Sequence, residues 1–396
     1  MATDWKALEQ QYYMQCARRQ PIVLVRGEGT RVWDEHDNAY LDFTAGWAVN
    51  NLGHAHPVLA NVIAEQAHTL VQTSNQFYTI PQIQAAQLLV EQSCFDQVFF
   101  CNSGAEANEG AIKLARKYGT LHRHGAYEII TAFNSFHGRT LTTTAATGQL
   151  HYHASYQPVP AGFTHVPFDD MPAIEAATTD RTVAIMLEPV QGEGGVHVPS
   201  RGYLAGVRQW CDDNGLLLIF DEIQTGIGRL GTLFGYQAFG VEPDIMSLAK
   251  GLGGGVPVGA VLAKHHAAVF EPGDHGSTFG GNVLTCATAH ATVRYIVDND
   301  ILPHAQTVGA YLHGKLQALH ATHTCVVEVR GMGLLFAVEF SHDIAADVVA
   351  ACNDAGLLVN PVRPNAIRLM PPLTVSIQDI DEAIEKLDAV LNAITT

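Results

Sequence analysis

The stretch Asp244-Ile-Met-Ser-Leu-Ala-Lys-Gly-Leu-Gly-Gly-Gly255 is a short apolar run that ends in Lys250 and breaks at once into a glycine-rich turn. A run this short, bounded by turn residues, is what a strand buried on both faces looks like. A lysine placed where such a strand gives way to a flexible turn suits imine chemistry. Burial disfavours the ammonium form, so the amine can be neutral and nucleophilic. The glycines do not form a nucleotide loop: Val256 stands where the dinucleotide fingerprint needs its third glycine, and the lysine precedes the glycines instead of following them.

Upstream, Leu216-Leu-Leu-Ile-Phe-Asp-Glu222 is a second apolar run, and it ends in an acid, Asp221. The two runs are separated by roughly 30 residues, about one strand–helix–strand unit of a parallel sheet. Lys250 and Asp221 are then expected at the carboxyl ends of neighbouring strands, where open α/β sheets bind ligands. The pattern continues outward, with strands expected at 97–101, 128–133, 183–188 and 258–263 and helices at 105–118, 201–214 and 282–297. This alternation predicts an α/β fold with a large, mainly parallel, doubly wound sheet. From about Ile301 the texture changes to a smaller α+β unit. The hairpin signal at Asp37-Asn38 suggests that the N-terminal piece packs with it. The expected division is 1–50 as the N-terminal part of the small domain, 51–300 as the large domain, and 301–396 as the rest of the small one.

Composition narrows the function classes. The chain has 396 residues, 47% hydrophobic and only 15% charged, which fits a compact enzyme with a large core. A formal charge of −17 argues against nucleic acid or an anionic membrane as partner, so any cations that meet an anionic ligand must be local. The seven cysteines are scattered and never form a C-x-x-C pair, as expected of reduced thiols in a cytoplasmic protein. Neither a targeting segment nor an apolar stretch of about 18 residues is present, so cytoplasm is the expected location. His54-Ala-His56, His122-Arg-His124 and His151-Tyr-His153 lack the spacing of a metal centre, and none is expected.

Further motifs sit where the pattern puts strand ends. Asn102-Ser-Gly-Ala-Glu-Ala-Asn-Glu109 opens a helix, and small residues there expose N–H groups at the positive helix end, an anion site. Phe136-His-Gly-Arg139 offers a ring to cover a flat cofactor and a guanidinium to hold a carboxylate. Glu188-Pro-Val-Gln-Gly-Glu-Gly-Gly195 and Gly276-Ser-Thr-Phe-Gly-Gly-Asn282 have the look of site loops. Lysine, acid and anion cradle together match what pyridoxal 5′-phosphate (PLP) requires: an imine partner for its aldehyde and a carboxylate to keep its ring nitrogen protonated.

These motifs, in order and with Phe220-Asp-Glu-Ile-Gln-Thr-Gly-Ile-Gly-Arg229 between them, resemble the class III, fold-type I PLP-dependent aminotransferases from about Val23 onward. The resemblance implies that Lys250 forms the Schiff base and Asp221 pairs with the ring nitrogen. It further implies that Gln224 approaches the ring's phenolic oxygen and Phe136 stacks on the ring. Ser103, Gly104 and Ala105 would cradle the phosphate, with Thr278 reaching it from the other subunit of a homodimer. Arg139 and Ser277 would meet the donor's far end, and Arg368, in Ala366-Ile-Arg-Leu-Met-Pro-Pro372, would hold the α-carboxylate of glutamate or 2-oxoglutarate, with Glu193 as its switch partner. The implied donor is an acylated ornithine of the N2-acetyl type, whose δ-amine passes to 2-oxoglutarate in arginine biosynthesis.

Alternatives remain open at this level. The binding tyrosine of ornithine δ-aminotransferases would fall near Ala17, with Tyr12 and Tyr13 out of step, which disfavours free ornithine. Succinylornithine, carrier-linked lysine and 4-aminobutyrate share the same ω-amine logic. From other classes, a lysine Schiff-base aldolase would need neither phosphate cradle nor Asp221, and a non-catalytic PLP-binding regulator would be expected to carry a basic nucleic-acid-binding region.

Overall fold

A computed structural model describes residues 3–395 of the chain. Strands β1 (Leu24–Glu28), β2 (Arg31–Asp34) and β3 (Ala39–Asp42) form an antiparallel meander, with Asp37 in the left-handed region at the turn into β3. Seven strands follow: β4 (Gln97–Cys101), β5 (Glu128–Ala132), β6 (Phe163–Val166), β7 (Thr182–Leu187), β8 (Leu217–Asp221), β9 (Ile245–Leu248) and β10 (Gly259–Ala263). They make one sheet in the order β4-β10-β9-β8-β7-β5-β6. The C-terminal strands are β11 (Val326–Met332), β12 (Leu335–Phe340), β13 (Leu357–Leu358), β14 (Asn360–Arg363) and β15 (Ala366–Leu369). Of these β13 joins β3 in parallel, Leu357 opposite Leu41, and the others form an antiparallel sheet β11-β12-β15-β14. The N-terminal meander is thus stitched to the C-terminal region by backbone hydrogen bonds.

Burial explains why the central runs read as continuously apolar. Every residue of β7, β8, β9 and β10 is buried, and alternate side chains feed two separate cores. Ile185, Leu187, Leu218 and Phe220 pack on one side with Leu204, Val207 and Cys211 of helix Tyr203–Asn214. Val183, Met186, Leu217 and Ile219 pack on the other with Ala107, Ala111, Leu114 and Ala115 of helix Gly104–His122. The sheet is doubly wound, as the alternation of runs predicts.

Two features depart from the sequence reading. Strand β6, Phe-Thr-His-Val, was not expected: it is a four-residue edge strand with only Val166 buried, so it carries almost no apolar signal. The stretch 357–363 of the small α+β unit is divided between two sheets, β13 going to the N-terminal meander and β14 to the C-terminal sheet. Strand β10 runs antiparallel to both β4 and β9, whereas β5 to β9 are parallel to their neighbours in that part of the sheet. Two reversals restore direction, so β4 points the same way as β9. The carboxyl ends of β4, β5, β7, β8 and β9 therefore open on one edge.

Ala45, Gly46, Trp47 and Ala48 all lie in the left-handed region, a turn of inverted hand that L-residues adopt only when their surroundings enforce it. Asp42 enforces it from below. Its Oδ1 accepts from the N–H groups of Thr44 (2.9 Å) and Ala45 (3.0 Å) and from the Thr44 hydroxyl (2.6 Å), while Oδ2 meets His54 Nε2 at 2.7 Å. The turn delivers Val49 and Asn51 to the open edge of the large sheet.

Arg229, fully buried, makes no ion pair with a carboxylate among the described residues. Its Nη1 donates to the carbonyls of Leu334 (3.0 Å) and Pro371 (2.6 Å), and its Nη2 donates to Asn51 Oδ1 (2.7 Å). Burial, with the like charge of Arg368 adding to it, pulls its pKa down to about 9. One side chain thereby joins the N-terminal segment, the large sheet and the C-terminal region. Replacing it by Met leaves three buried acceptors unsatisfied, so Arg229→Met is expected to destabilise the protein by about 3 kcal/mol or more. A thermal midpoint equal to that of the parent would contradict this role.

Candidate active site

A cavity of about 390 Å³ opens at the carboxyl edge of the large sheet. It is lined by Ser103, Gly104, Ala105, Phe136, Arg139, Glu193, Asp221, Gln224 and Lys250, which brings nine of the twelve residues named from the sequence to one place. Val49, Asn102, His137, Glu188 and Ile223 complete much of the wall.

At one end stands the start of helix Gly104–His122. Ser103 is its N-cap, its Oγ accepting from Glu106 N–H at 3.2 Å, and Glu106 reaches back to accept from both nitrogens of Asn102 at 2.7 Å. The first intrahelical bond runs from Ala107 N–H to the Ser103 carbonyl (3.0 Å), so the N–H groups of Gly104 and Ala105 precede the helical ladder. A Cβ on Gly104 would come within 2.8 Å of Ile223 Cδ1, and one on Gly138 would lie 2.6 Å from Thr143 Oγ1 and 2.9 Å from Ala105 Cβ. Free N–H groups at a positive helix end, with glycines keeping the approach clear, suit a phosphate.

Asp221, at the end of β8, is held from behind. Its Oδ2 accepts from Asn108 Nδ2 (2.7 Å) and His137 Nδ1 (2.8 Å), and its Oδ1 accepts from the Ile223 N–H (3.0 Å). Asn108 is fixed in turn, donating also to the His137 carbonyl (2.7 Å) and accepting from Ser247 Oγ of β9 (2.6 Å). Burial works against a charged His137, yet the hydrogen bond and charge of Asp221, with Glu188 adding, raise its pKa. The imidazole and the Asn108 amide thus fix the orientation of a carboxylate placed to hold a proton on a ring nitrogen.

Lys250 begins a 3₁₀ turn with φ 43, an unusual value for a residue with a side chain. Burial lowers its pKa, opposed in part by Glu193. Nearby, Arg368 is completely buried on β15 and donates from Nη1 to Glu193 Oε1 (2.8 Å) and Gln224 Oε1 (3.1 Å), while Gln224 Nε2 donates to Glu193 Oε1 (3.1 Å). Although burial pushes the Glu193 carboxyl up, Arg368 and Lys250 hold it down to about 2. Arg368 Nε and Nη2 are buried without a hydrogen-bond partner among the described residues. Glu188 shows the opposite case: accepting N–H bonds from Phe136 and Gly192 (both 3.2 Å), it is pushed up to about 7 by burial.

At the mouth, Arg139 is exposed and stacks over the Tyr152 ring (4.4 Å) and less closely over Phe136 (5.4 Å). Ser277 and Thr278 do not line this cavity. Ser277 Oγ instead accepts from Asn102 Nδ2 and from the Gly280 N–H, both at 2.9 Å, and Thr278 is exposed with its carbonyl bound by Gln72. Three residues that shape the site escaped the sequence reading: Asn108, His137 and Ile223. Asn108 had a signal, since it stands four positions after Gly104 and so on the same helical face. Each is an ordinary residue type inside a motif noticed for its neighbours.

Lysine, acid and helix-end cradle around one slot fit PLP, and the fold and site together define a PLP-dependent enzyme of the doubly wound α/β kind. Comparison with known proteins narrows this. The model of the family described as "Aminotransferase class-III" matches residues 12–391. The acetylornithine aminotransferase of Caldanaerobacter subterraneus subsp. tengcongensis is 51% identical over 387 residues, 98% of either chain. Among solved structures, an ornithine aminotransferase from Toxoplasma gondii, with PLP at partial occupancy in its active site, superposes with TM-score 0.96 at 35% identity (99% of this chain, 94% of that one). An acetylornithine aminotransferase from Elizabethkingia anophelis gives 0.88 at 34% identity, covering 98% of both. The chain belongs to the class III aminotransferases. It is a PLP-dependent aminotransferase.

The cradle yields a direct test. Gly138 has φ +136, and a methyl group there would press on the helix start at Ala105. Gly138→Ala is expected to weaken PLP retention roughly tenfold or more, read by absorbance titration of the apoenzyme. Unchanged affinity would show that the cofactor does not depend on this approach.

Proposed function

We propose that the chain transfers the δ-amino group of N2-acetylornithine to 2-oxoglutarate, giving N-acetylglutamate 5-semialdehyde and glutamate, as a cytoplasmic homodimer. The observation that carries this reading is the pairing of buried Arg368 with half-buried Glu193 beside Lys250. Glutamate brings an α-carboxylate to the reacting carbon, whereas an ω-amine donor brings none. Arg368, with two open donors, suits the first, and the same arginine neutralised by Glu193 suits the second, because an unpaired buried charge is strongly unfavourable. The 51% identity with a protein that acts on acetylornithine supports that donor.

Bound PLP supplies an aldehyde that takes up the amino group and a conjugated ring that spreads the charge left when a proton leaves the substrate carbon. The roles proposed for the chain's own residues follow from their places. Lys250 Nζ, its pKa lowered by burial, would accept and return that proton. Asp221 holds the proton on the ring nitrogen, positioned by Asn108 and His137. Phe136 and Ile223, which line the same cavity, would hold the ring, with Gln224 near its phenolic oxygen, and Ser103, Gly104 and Ala105 would receive the phosphate. Arg139, stacked on Tyr152 at the mouth and without an ion pair among the described residues, would take the donor's own α-carboxylate. Thr278 and Ser277, exposed or facing away from this cavity, are assigned to the partner subunit's site. Among the described residues no helix is long and apolar enough to cross a membrane, in keeping with the proposed location. The domain division proposed is 1–50 with 301–396, and 51–300.

Lys250→Ala is expected to lose turnover by roughly a thousandfold, together with the long-wavelength absorbance of the resting enzyme. Normal turnover in that variant would remove Lys250 from the mechanism. For the donor, kcat/KM measured with acetylornithine, succinylornithine, ornithine and 4-aminobutyrate, each with 2-oxoglutarate, should be highest for acetylornithine. A clear preference for free ornithine would overturn the assignment.

A further inference from the structure

The loop that carries Glu193 is gripped from the C-terminal sheet by two arginines. Arg363, at the end of β14, donates from Nε to the Gly194 carbonyl (2.8 Å) and from Nη2 to Asn134 Oδ1 (2.9 Å). Arg330, on β11, donates from Nε to the Gly195 carbonyl (2.8 Å) while its Nη1 pairs with Glu328 (2.7 Å) and Glu339. The base of the loop is closed separately, Gln191 and His197 exchanging both backbone hydrogen bonds at 3.0 Å. The glycines are required here. A Cβ on Gly194 would lie 2.7 Å from the Asn134 carbonyl oxygen, and Gly195 has φ +120 with both arginine side chains close above it.

We infer that Arg363 and Arg330 are positioning residues for the carboxylate switch: they fix the two peptides that follow Glu193, so that Glu193 alone, by its side chain, opens and closes Arg368. The inference rests on the proposed roles of Glu193 and Arg368. Its physical basis is that clamp and target share one sheet, with Arg363 on β14 next to Arg368 on β15 and Arg330 on β11. A guanidinium-to-carbonyl bond is charge-assisted and directional, so two of them hold a glycine pair that would otherwise have wide conformational freedom. Holding the loop to this sheet sets the 2.8 Å approach of Glu193 to Arg368 and thereby the balance between the closed state, which accepts an ω-amine, and the open state, which accepts an α-carboxylate.

Loosening the clamp weakens the closed state, and the two half-reactions should respond with opposite sign. In the holoenzyme, Arg363→Gln is expected to lower kcat/KM for the acetylornithine half-reaction roughly threefold or more and to leave the glutamate half-reaction unchanged or improved. Glutamate should also compete more strongly against the donor. Asn134→Gly, which removes the second tether of Arg363 and keeps a left-handed backbone possible, should shift the ratio the same way with a thermal midpoint near that of the parent. Glu193→Gln serves as the reference. A shift there, with equal losses in both half-reactions or an unchanged ratio in both clamp variants, overturns the clamp. No shift in Glu193→Gln itself overturns the switch reading on which the clamp depends.

Discussion

The site depends on a positive charge buried without a counter-charge. Among the described residues Arg229 bonds to carbonyl and amide oxygens alone, and it ties the segment of Asn51 to those of Leu334 and Pro371. Asn51, held by Arg229 Nη2, packs so closely on the turn after Lys250 that a Cβ on Gly251 would lie 2.2 Å from its Nδ2. Pro371, held by Nη1, follows Arg368 by three residues. The same guanidinium therefore sets the floor under the lysine and the height of the second arginine. Two buried cations side by side would be untenable alone, and Arg368 is tolerated because Glu193 faces it.

Charge in the cavity follows from local pairing more than from the net charge of the chain. With a formal balance of −17, the surface repels anions, yet the ligands expected here are a phosphate and carboxylates. The chain meets them with a helix terminus, Arg368, Arg139 and Lys250 gathered at one sheet edge. Carboxylates that share the region are either neutralised by a cation, as Glu193 is, or pushed toward the neutral form by burial, as Glu188 is. Little unbalanced negative charge is left to oppose the ligands.

How much of this could be seen in the sequence follows from how each element is stabilised. Strands β7 to β10 are buried on both faces, so they appear as unbroken apolar runs. Their direction does not: nothing in Gly259–Ala263 says that it pairs antiparallel on both sides, because backbone hydrogen bonding carries no side-chain signature. The left-handed turn at 45–48 was invisible for a related reason, since alanine and tryptophan ordinarily avoid that conformation and only the buried Asp42 imposes it. Lys250 and Asp221 were legible because their chemistry conflicts with their apolar surroundings. Asn108 and His137 were not, being polar residues whose partners come from distant parts of the chain. Thr278 lies outside this chain's own cavity, and its proposed place depends on a second copy that no single sequence displays.

The antiparallel strand β10 has a consequence for the order in which the site assembles. Because β9 and β10 are joined by a short connection and pair with each other, the turn that presents Lys250 is a local hairpin, closed at little entropic expense. Strand β4 and the phosphate-facing helix start reach that hairpin only by pairing Gln97–Cys101 with Gly259–Ala263 across much of the chain, a contact of long sequence separation and correspondingly slow closure. The lysine turn thus closes over a short sequence separation, whereas the anion cradle joins it through a contact of long separation. A nascent chain would carry its reactive amine on a folded turn well before it could retain the cofactor that the amine serves.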